Sequence, residues 1–517
     1  MLSKISTYIK RHPFLFVMVA AGLCRLAAVI WSKGFIHTDD HFETVAISQD
    51  WLVKGLFGAD GLLHWQDQPA SDITRFPLYT LFLYALMKTG TWLGIHSLNT
   101  IMYGVRLVHA LLSLLPVIFT YKAVKVVTRD DRWAVIGGLF AGLHFIAPFL
   151  GVRNLIEVVG GELWLVALYA CYRYADDSRV RWVYLAGVMT GLAWMIRFQI
   201  AFAALPIPFI LWYERRTLLP AVHYGCAVAF MVLVAWIVDF ILVGRFGGSS
   251  FALLNLHVLY DTMYSTIPGL YIAVLLGLFI PPMSFVLMWL ATRPMFVRRH
   301  RIVVFSTLSF ILCHWFLRNQ QERFIFPMIP ACILLFTLAL WDRWQRNGYI
   351  LSNRKLFAGL AGTAIMANFV GLAVLSVSYG HRGLIEPIVR LSQENPSARV
   401  LYLQPDMRSC VPDQYGASTM CALVVGSWDD WAALRLQQVD GCPPDHFVIY
   451  PTETNGLATC VDSIEARYGP VIPAFQIRPS LYDWLLHALN PGHNASYEAW
   501  VYSRAGDGNA HASLLSR

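Results

Sequence analysis

The sequence predicts an all-α polytopic membrane protein with a small α/β domain outside the bilayer. Three observations carry this. Of 517 residues, 57% are hydrophobic and only 14% are charged, against about 25% charged in soluble globular domains. Apolar runs recur from the N-terminus to about residue 378, many of them close to the roughly 20 residues that a helix needs to cross a bilayer. Beyond residue 380 the pattern changes to short strand-like runs broken by Pro, Gly and Asp. This composition excludes an ordinary soluble enzyme. The 18 Trp, 31 Phe and 23 Tyr exclude a disordered chain.

Lys4, Lys10 and Arg11 precede an apolar run from Phe14 to Trp31 that lacks a small-residue cleavage site. It reads as a retained anchor with its N-terminus inside. Further runs lie at 103–121, 133–150, 156–172, 182–196, 198–213, 218–243, 267–291, 302–316, 324–341 and 356–378, which with the first make about eleven transmembrane helices. If the first crosses outward, the connections predicted to be cytoplasmic include the basic clusters at 122–132, 173–181, 215–216, 293–301 and 343–355. With the N-terminal charges they hold half of the 40 Lys and Arg, as positive-inside orientation requires. The +8 net charge therefore records orientation, and membrane lipids are the expected partners rather than nucleic acid. The stretch from Phe76 to Ile95 is also long enough to cross, but one more crossing would turn every later basic loop outward. With Lys88 and two glycines in it, it is expected to be re-entrant or interfacial on the outer face.

An odd number of crossings places the C-terminus outside. The predicted organisation is a transmembrane domain over 1–379, with a first outer loop at 33–102, and a lumenal or periplasmic domain over 380–517. Strands are expected at Arg399–Leu403, His446–Tyr450 and Glu498–Tyr502. Cys410, Cys421, Cys442 and Cys460 are confined to this exported part, whereas the other five cysteines lie in apolar runs. The even set suggests two disulfides in an oxidising compartment, with four thiols in a small core as the alternative.

The polar residues least at home in a membrane fall on the outer side. His37-Thr38-Asp39-Asp40-His41-Phe42-Glu43 follows the first span directly. A partly desolvated carboxylate there is suited to take a proton from a substrate hydroxyl; a solvated loop with an Asx turn and a helix cap is the plain alternative. No cofactor is expected. A divalent metal on His37, Asp39 and His41 is the minor reading, because alternate residues of an extended loop point the same way. Arg318-Asn319-Gln320-Gln321-Glu322-Arg323-Phe324 forms a second outer turn. Its guanidinium forks match phosphate oxygens, although interfacial arginines also meet lipid headgroups. Asn154, Glu157, Arg197 and Asp239, taken singly, read as buried polar bridges, and Arg25 and Arg106 are expected to pair with carboxylates in the bundle.

At these residues the chain resembles the GT-C glycosyltransferases of family 22, the Alg9-like and GPI-anchor mannosyltransferases that use dolichyl- or polyprenyl-phosphate-mannose. His37 to Asp40 resembles His-Pro-Asp-Glu after the first span. Trp65 and Arg75-Phe76-Pro77 resemble the Trp-Glu and Arg-Ser-x-x-Pro elements of the same loop. Asn154 to Glu157 resembles Asn-Ser-x-Glu, Arg197 an Arg-Pro-Thr element, and Asn319 to Phe324 with Pro327 resembles His-Lys-Glu-x-Arg-Phe. Thr38, Asp40 and Asn319-Gln320-Gln321 depart from the pattern, and the last departure leaves the phosphate site on Arg323 and Arg318.

The resemblance implies a GT-C fold and an inverting transfer of a sugar, most naturally mannose, from a polyprenyl-phosphate donor to a lipid-linked glycan on the extracytoplasmic face. Asp39, beside Asp40, would be the base. Arg323, with Arg318 or Arg197, would hold the donor phosphate. His37, His41, Glu43, Trp65, Arg75, Gln321 and Glu322 would contact the acceptor. The competing readings are a GT-C enzyme for another sugar or a protein acceptor, and a flippase or transporter of lipid-linked sugars. A transporter would place polar groups at the bilayer midplane in repeated halves, and no repeat is visible.

Overall fold

The computed structural model describes residues 11–36, 38–56, 76–254, 269–317, 320–403, 415–416, 420–425, 443–451, 456–489 and 497–505. The chain divides into two compact units: Met1–Ile30, Ile47–Lys88 and Val105–Val377 form the first, and Trp31–Ala46, Thr89–Gly104 and Ser378–Arg517 form the second. Two pieces of the first outer loop thus group with the C-terminal part, a partition that a single boundary near residue 379 does not anticipate.

The first unit is a helical bundle. Every apolar run of the sequence contains helix, but only five helices among the described residues are long and apolar enough to cross a membrane: Pro13–Trp31, Leu98–Thr128, Leu219–Leu242, Glu322–Asn347 and Arg354–Ser376. Counting the bent pair Leu270–Leu278 and Met283–Ala291 as one span makes six. The chain is a multi-pass membrane protein, but eleven full-length spans are not what the described residues hold.

The reasons are local. Val180–Ile196 and Arg301–Phe316 are short. The run at 198–213 breaks into Ile200–Ala204 and Ile207–Arg215 around Pro206, whose ring cannot continue a helix interior. Ile156–Asp177 has 22 residues but carries Glu157, Glu162 and Arg173, which it can do because most of its surface is buried against protein. The Phe76–Ile95 stretch forms a helix over Pro77–Trp92, 16 residues long.

Ile156–Asp177 is the central element of this unit, packed on Leu114–Thr128, Val180–Ile196 and the 3-10 helix Glu322–Met328. Basic connections meet at its C-terminal end, where Arg129 pairs with Asp176 and Arg215 donates to the Tyr174 carbonyl. Arg25, expected to pair with a carboxylate, makes no ion pair within 4 Å among the described residues. It donates to the Ser113 hydroxyl at 2.8 Å and to the carbonyls of Gly142 and Ser113 at 2.9 and 3.0 Å, so hydrogen bonds satisfy the guanidinium directly, and the buried Glu162 is its charged neighbour. The bent pair turns through 117°. Leu270–Leu278 packs on Glu322–Met328, and Met283–Ala291 packs on Ile329–Asn347.

The second unit holds two sheets. In the smaller, β1 (Lys33–Gly34) pairs in parallel with β2 (Tyr379–Gly380). Gly34 has φ +79°, and a Cβ there would lie 1.8 Å from the Gly380 carbonyl oxygen, so both the conformation and the approach require glycine. The larger sheet has the order β4-β3-β5-β7-β6, formed by β3 (Arg399–Leu403), β4 (Cys421–Val425), β5 (His446–Ile449), β6 (Val471–Ile477) and β7 (Ala499–Arg504). β3 runs parallel to β4 and β5, and β7 runs antiparallel to β5 and β6. Leu401, Phe447, Ile449 and Ile464 form its core. Strands β3, β5 and β7 fall on the three predicted runs; β4 and β6 lie outside them. Cys421 on β4 is a free thiol, so two bridges using all four exported cysteines are not formed. Cys460 is buried in the core, and Cys410 and Cys442 lie outside the described residues.

Candidate active site

Glu157 opens the Ile156–Asp177 helix, and its side chain is fully buried. A carboxylate at the first turn faces the positive end of the helix dipole, and here it also faces two guanidiniums. Arg197 Nη2 lies 3.1 Å from Glu157 Oε1, and Arg323 Nε lies 3.8 Å from the same oxygen. Arg197 leaves the Val180–Ile196 helix in an extended conformation, which carries the chain toward Glu157. Arg323 comes from the first turn of Glu322–Met328. Both arginines are only 5% exposed. The Phe324 ring lies close to both, 4.9 Å from the Arg197 guanidinium and 5.6 Å from that of Arg323, within cation–π range.

Two glycines let these segments converge. A Cβ at Gly160 would come 2.9 Å from the Arg197 Cβ, and a Cβ at Gly161 would come 2.5 Å from the Pro327 carbonyl oxygen. The helix must be bare at both positions for the two arginine-bearing segments to reach its carboxylate. Charge and hydropathy do not single out this pair; the signal that could is two adjacent glycines one turn from a candidate acid on a long apolar helix.

A second polar chain lies in the same unit. The Tyr79 hydroxyl donates to Asn154 Oδ1 at 2.5 Å and lies 3.2 Å from His109 Nε2. Because the phenol has one proton, His109 Nε2 must be the donor in the second bond. Asn154, like Glu157, belongs to the short motif read from the sequence, and Tyr79 and His109 are additions. Gln320 is buried and donates to the carbonyls of Trp315 and Leu317, closing the end of Arg301–Phe316. Gln321 is half-buried and Glu322 exposed.

In the second unit, Thr38 to Glu43 is helical, where the metal reading supposed an extended loop. Helix begins at Thr38 and runs to Lys54, and on a helix residues i and i+2 do not share a face. Asp39, Asp40 and Glu43 occupy its first two turns. His41, expected at the acceptor, is 2% exposed. Its Nε2 shares a 2.7 Å hydrogen bond with the Tyr415 hydroxyl, and its ring stacks on Phe35, which stacks in turn on His381. His381 Nε2 bonds the Ile36 carbonyl at 3.2 Å. The side chains of Asp39, Asp40 and Glu43, and the whole of His37, Trp65, Arg75 and Arg318, lie outside the described residues.

A family model described as "Dolichyl-phosphate-mannose-protein mannosyltransferase" matches residues 80–238. GPI alpha-1,2-mannosyltransferase 3 of Homo sapiens is 23% identical over 432 residues, 79% of this chain and 68% of that protein. Its Bos taurus counterpart is 24% identical over 362 residues, 67% of this chain and 62% of its own length. Among solved structures, ArnT from Cupriavidus metallidurans bound to undecaprenyl phosphate superposes with a TM-score of 0.61 at 13% identity, over 96% of this chain and 99% of that one. The chain shares the fold of ArnT and resembles the GT-C mannosyltransferases in sequence. The apo structure of the same ArnT gives a TM-score of 0.56. Matches to the curated relatives span about two thirds of those proteins' length. The Arg197–Glu157–Arg323 cluster brings three buried charges together in the first unit.

Proposed function

We propose that this protein transfers mannose from a polyprenyl-phosphate donor to a lipid-linked glycan on the extracytoplasmic face, with inversion at the anomeric carbon. The observation that carries the reading is the burial of two arginines around one carboxylate. Charge is costly in such surroundings, and Glu157 keeps both guanidiniums there, fixed and drawn together. A donor phosphate entering beside them would meet two forks already gathered and already stripped of bulk water.

The central helix supports this sidedness. Along this 22-residue helix, Glu157 and the basic end at Asp176 are about 28 Å apart, close to the thickness of a bilayer's hydrocarbon core. With the basic end cytoplasmic, Glu157 lies toward the lumen or periplasm. Support also comes from the names of the relatives, GPI mannosyltransferases, and from the undecaprenyl phosphate bound to ArnT.

In the proposed reaction Asp39 takes the proton of the acceptor hydroxyl. The hydroxyl oxygen attacks the anomeric carbon from the face opposite the lipid phosphate, as in one-step inverting glycosyl chemistry. The C–O bond to phosphate breaks, and Arg323, with Arg197 and Arg318, takes up the charge of the departing phosphate. Glu157 holds the two described arginines in place. Asp40, His37, Glu43, Trp65, Arg75, Gln321 and Glu322 are assigned to the acceptor side. His41 is assigned to positioning, because it is buried against Tyr415.

The test is transfer from labelled polyprenyl-phosphate-mannose by the full-length protein in lipid nanodiscs, beside Asp39→Asn and Arg323→Gln. Full activity in Asp39→Asn would remove that residue as base, and no consumption of the lipid donor by any form would remove the donor assignment. The family model over residues 80–238, described for protein mannosylation, favours one second reading, a protein hydroxyl as acceptor. Serine- and threonine-containing peptides offered in the same assay separate the two.

A further inference from the structure

At the end of the first unit away from Glu157 lies a cavity of about 500 Å³. It opens at the N-terminus of the 16-residue helix Arg301–Phe316, for which His300 is the cap. Such a terminus presents backbone N–H groups and a partial positive charge to whatever enters.

Two buried side chains in the wall have no hydrogen-bond partner among the described residues. His300 is 2% exposed, and neither of its ring nitrogens has a hydrogen-bond partner among the described residues; the Tyr172 hydroxyl, in a residue 7% exposed, is likewise without one. Buried polar groups are normally satisfied, so polar atoms lining an open cavity point to a ligand that satisfies them. Both line this one.

The charges at the rim differ in how far they are engaged. Arg129 is paired with Asp176, and Arg299 with Asp342 at 3.0 Å. Arg301 makes no ion pair within 4 Å among the described residues; it rests over the Tyr213 ring at 4.7 Å and acts electrostatically on Glu214. The remaining acid in the lining is Glu214.

We propose that this cavity binds a phosphate-bearing head group, held by Arg301, the helix N-terminus, His300 and Tyr172. Burial pushes the Glu214 carboxyl up more than Arg301 and Arg215 pull it down. Burial also pulls His300 down to about 4, so at neutral pH its ring is neutral and offers one N–H donor. The cavity sits among the basic connections, the level at which lipid phosphates lie. The same chemistry would also suit a soluble phosphate compound. Along the central helix the site lies about 22–28 Å from Glu157, and it does not depend on the assignment of the transfer site.

The experiment uses delipidated full-length protein in a neutral detergent, titrated separately with short-chain phosphatidylglycerol, inorganic phosphate and uncharged short-chain diacylglycerol. Quenching of tryptophan fluorescence and the shift in melting temperature are the readouts; Trp341 lines the cavity. The lipid phosphate is expected to bind saturably, and Arg301→Gln to weaken it about tenfold, as loss of a charge-assisted contact does. Tyr172→Phe keeps the ring and the fold and should weaken binding by a smaller factor. Both variants should retain sugar transfer. Saturable binding of inorganic phosphate as well would identify a soluble phosphate as a ligand; binding of the lipid alone would identify a head group. Equal affinity in wild type and Arg301→Gln, equal response to the uncharged diacylglycerol, or no binding of either phosphate probe would overturn the proposal.

Discussion

Arg197 and Glu157 approach to 3.1 Å with 5% and 0% of their side chains exposed, and Arg323 shares the same carboxylate oxygen. A buried ion pair of this kind rarely adds net stability, but removing one partner strands the other charge. The cluster is therefore costly to disrupt and adds little by existing, the behaviour expected of groups kept for chemistry.

Glu157→Gln should be more damaging than its size suggests. It leaves two buried guanidiniums facing each other without their shared carboxylate. A loss of about 3–5 kcal/mol is expected, read as a lower melting temperature, together with reduced transfer. An unchanged melting temperature would mean that the arginines relax to water or lipid at no cost.

Arg323→Gln should lower turnover by about 10²–10³-fold, the range for removing one preorganised group from a developing negative charge. The comparison is made per folded molecule. A rise in donor KM with unchanged turnover would instead make Arg323 a ground-state binding residue.

Gly161→Ala tests the close approach. The added methyl would meet the Pro327 carbonyl oxygen at 2.5 Å and its Cα at 2.7 Å, both backbone atoms that cannot rotate away. About 1–3 kcal/mol of destabilisation is expected from such overpacking. Because Pro327 shares a helix with Arg323, activity should fall further than stability.

The second unit should lose stability in acid through Asp445. Burial pushes its carboxyl up, but hydrogen bonds from the Arg399 side chain and backbone, with the guanidinium charge, hold it below the ordinary carboxylate range. A folded pKa below the unfolded one gives stability that is fully present above the unfolded value and is lost as pH falls through the folded value. Unfolding of the sheet followed below about pH 4 should show this loss, and Asp445→Asn should flatten it.

Tyr415→Phe removes the hydroxyl that meets His41 at the start of the helix carrying Asp39. A stability change of about 0.5–1.5 kcal/mol is expected, with a fall in turnover and little change in donor KM. Turnover equal to wild type would limit the pair to a packing role.

Hydropathy and charge made much of this protein readable in one dimension. Apolar runs forecast where helices form, because a helix satisfies its own backbone whatever surrounds it. Basic clusters forecast which connections share an end, and Arg129 with Asp176 is that forecast in side-chain form. Strands β3, β5 and β7 were legible because they combine apolar residues with clear turn punctuation. Span length was less legible: Ile156–Asp177 reads as another crossing segment, yet its acids are tolerated only because protein surrounds it.

By itself, then, the sequence determined a multi-pass helical protein with a separate strand-rich C-terminal part; it singled out Arg323 as a phosphate-clamp candidate, with Arg197 beside it only through the family resemblance, and Glu157 only as a polar bridge. Tertiary structure alone decided that Glu157 joins the two arginines, that Gly160 and Gly161 admit the contact, and that His41 turns inward to Tyr415. The physical reason is that helix formation and orientation depend on local composition, whereas the meeting of charges far apart in the chain depends on how helices pack, and packing is set by which surfaces are bare enough to touch.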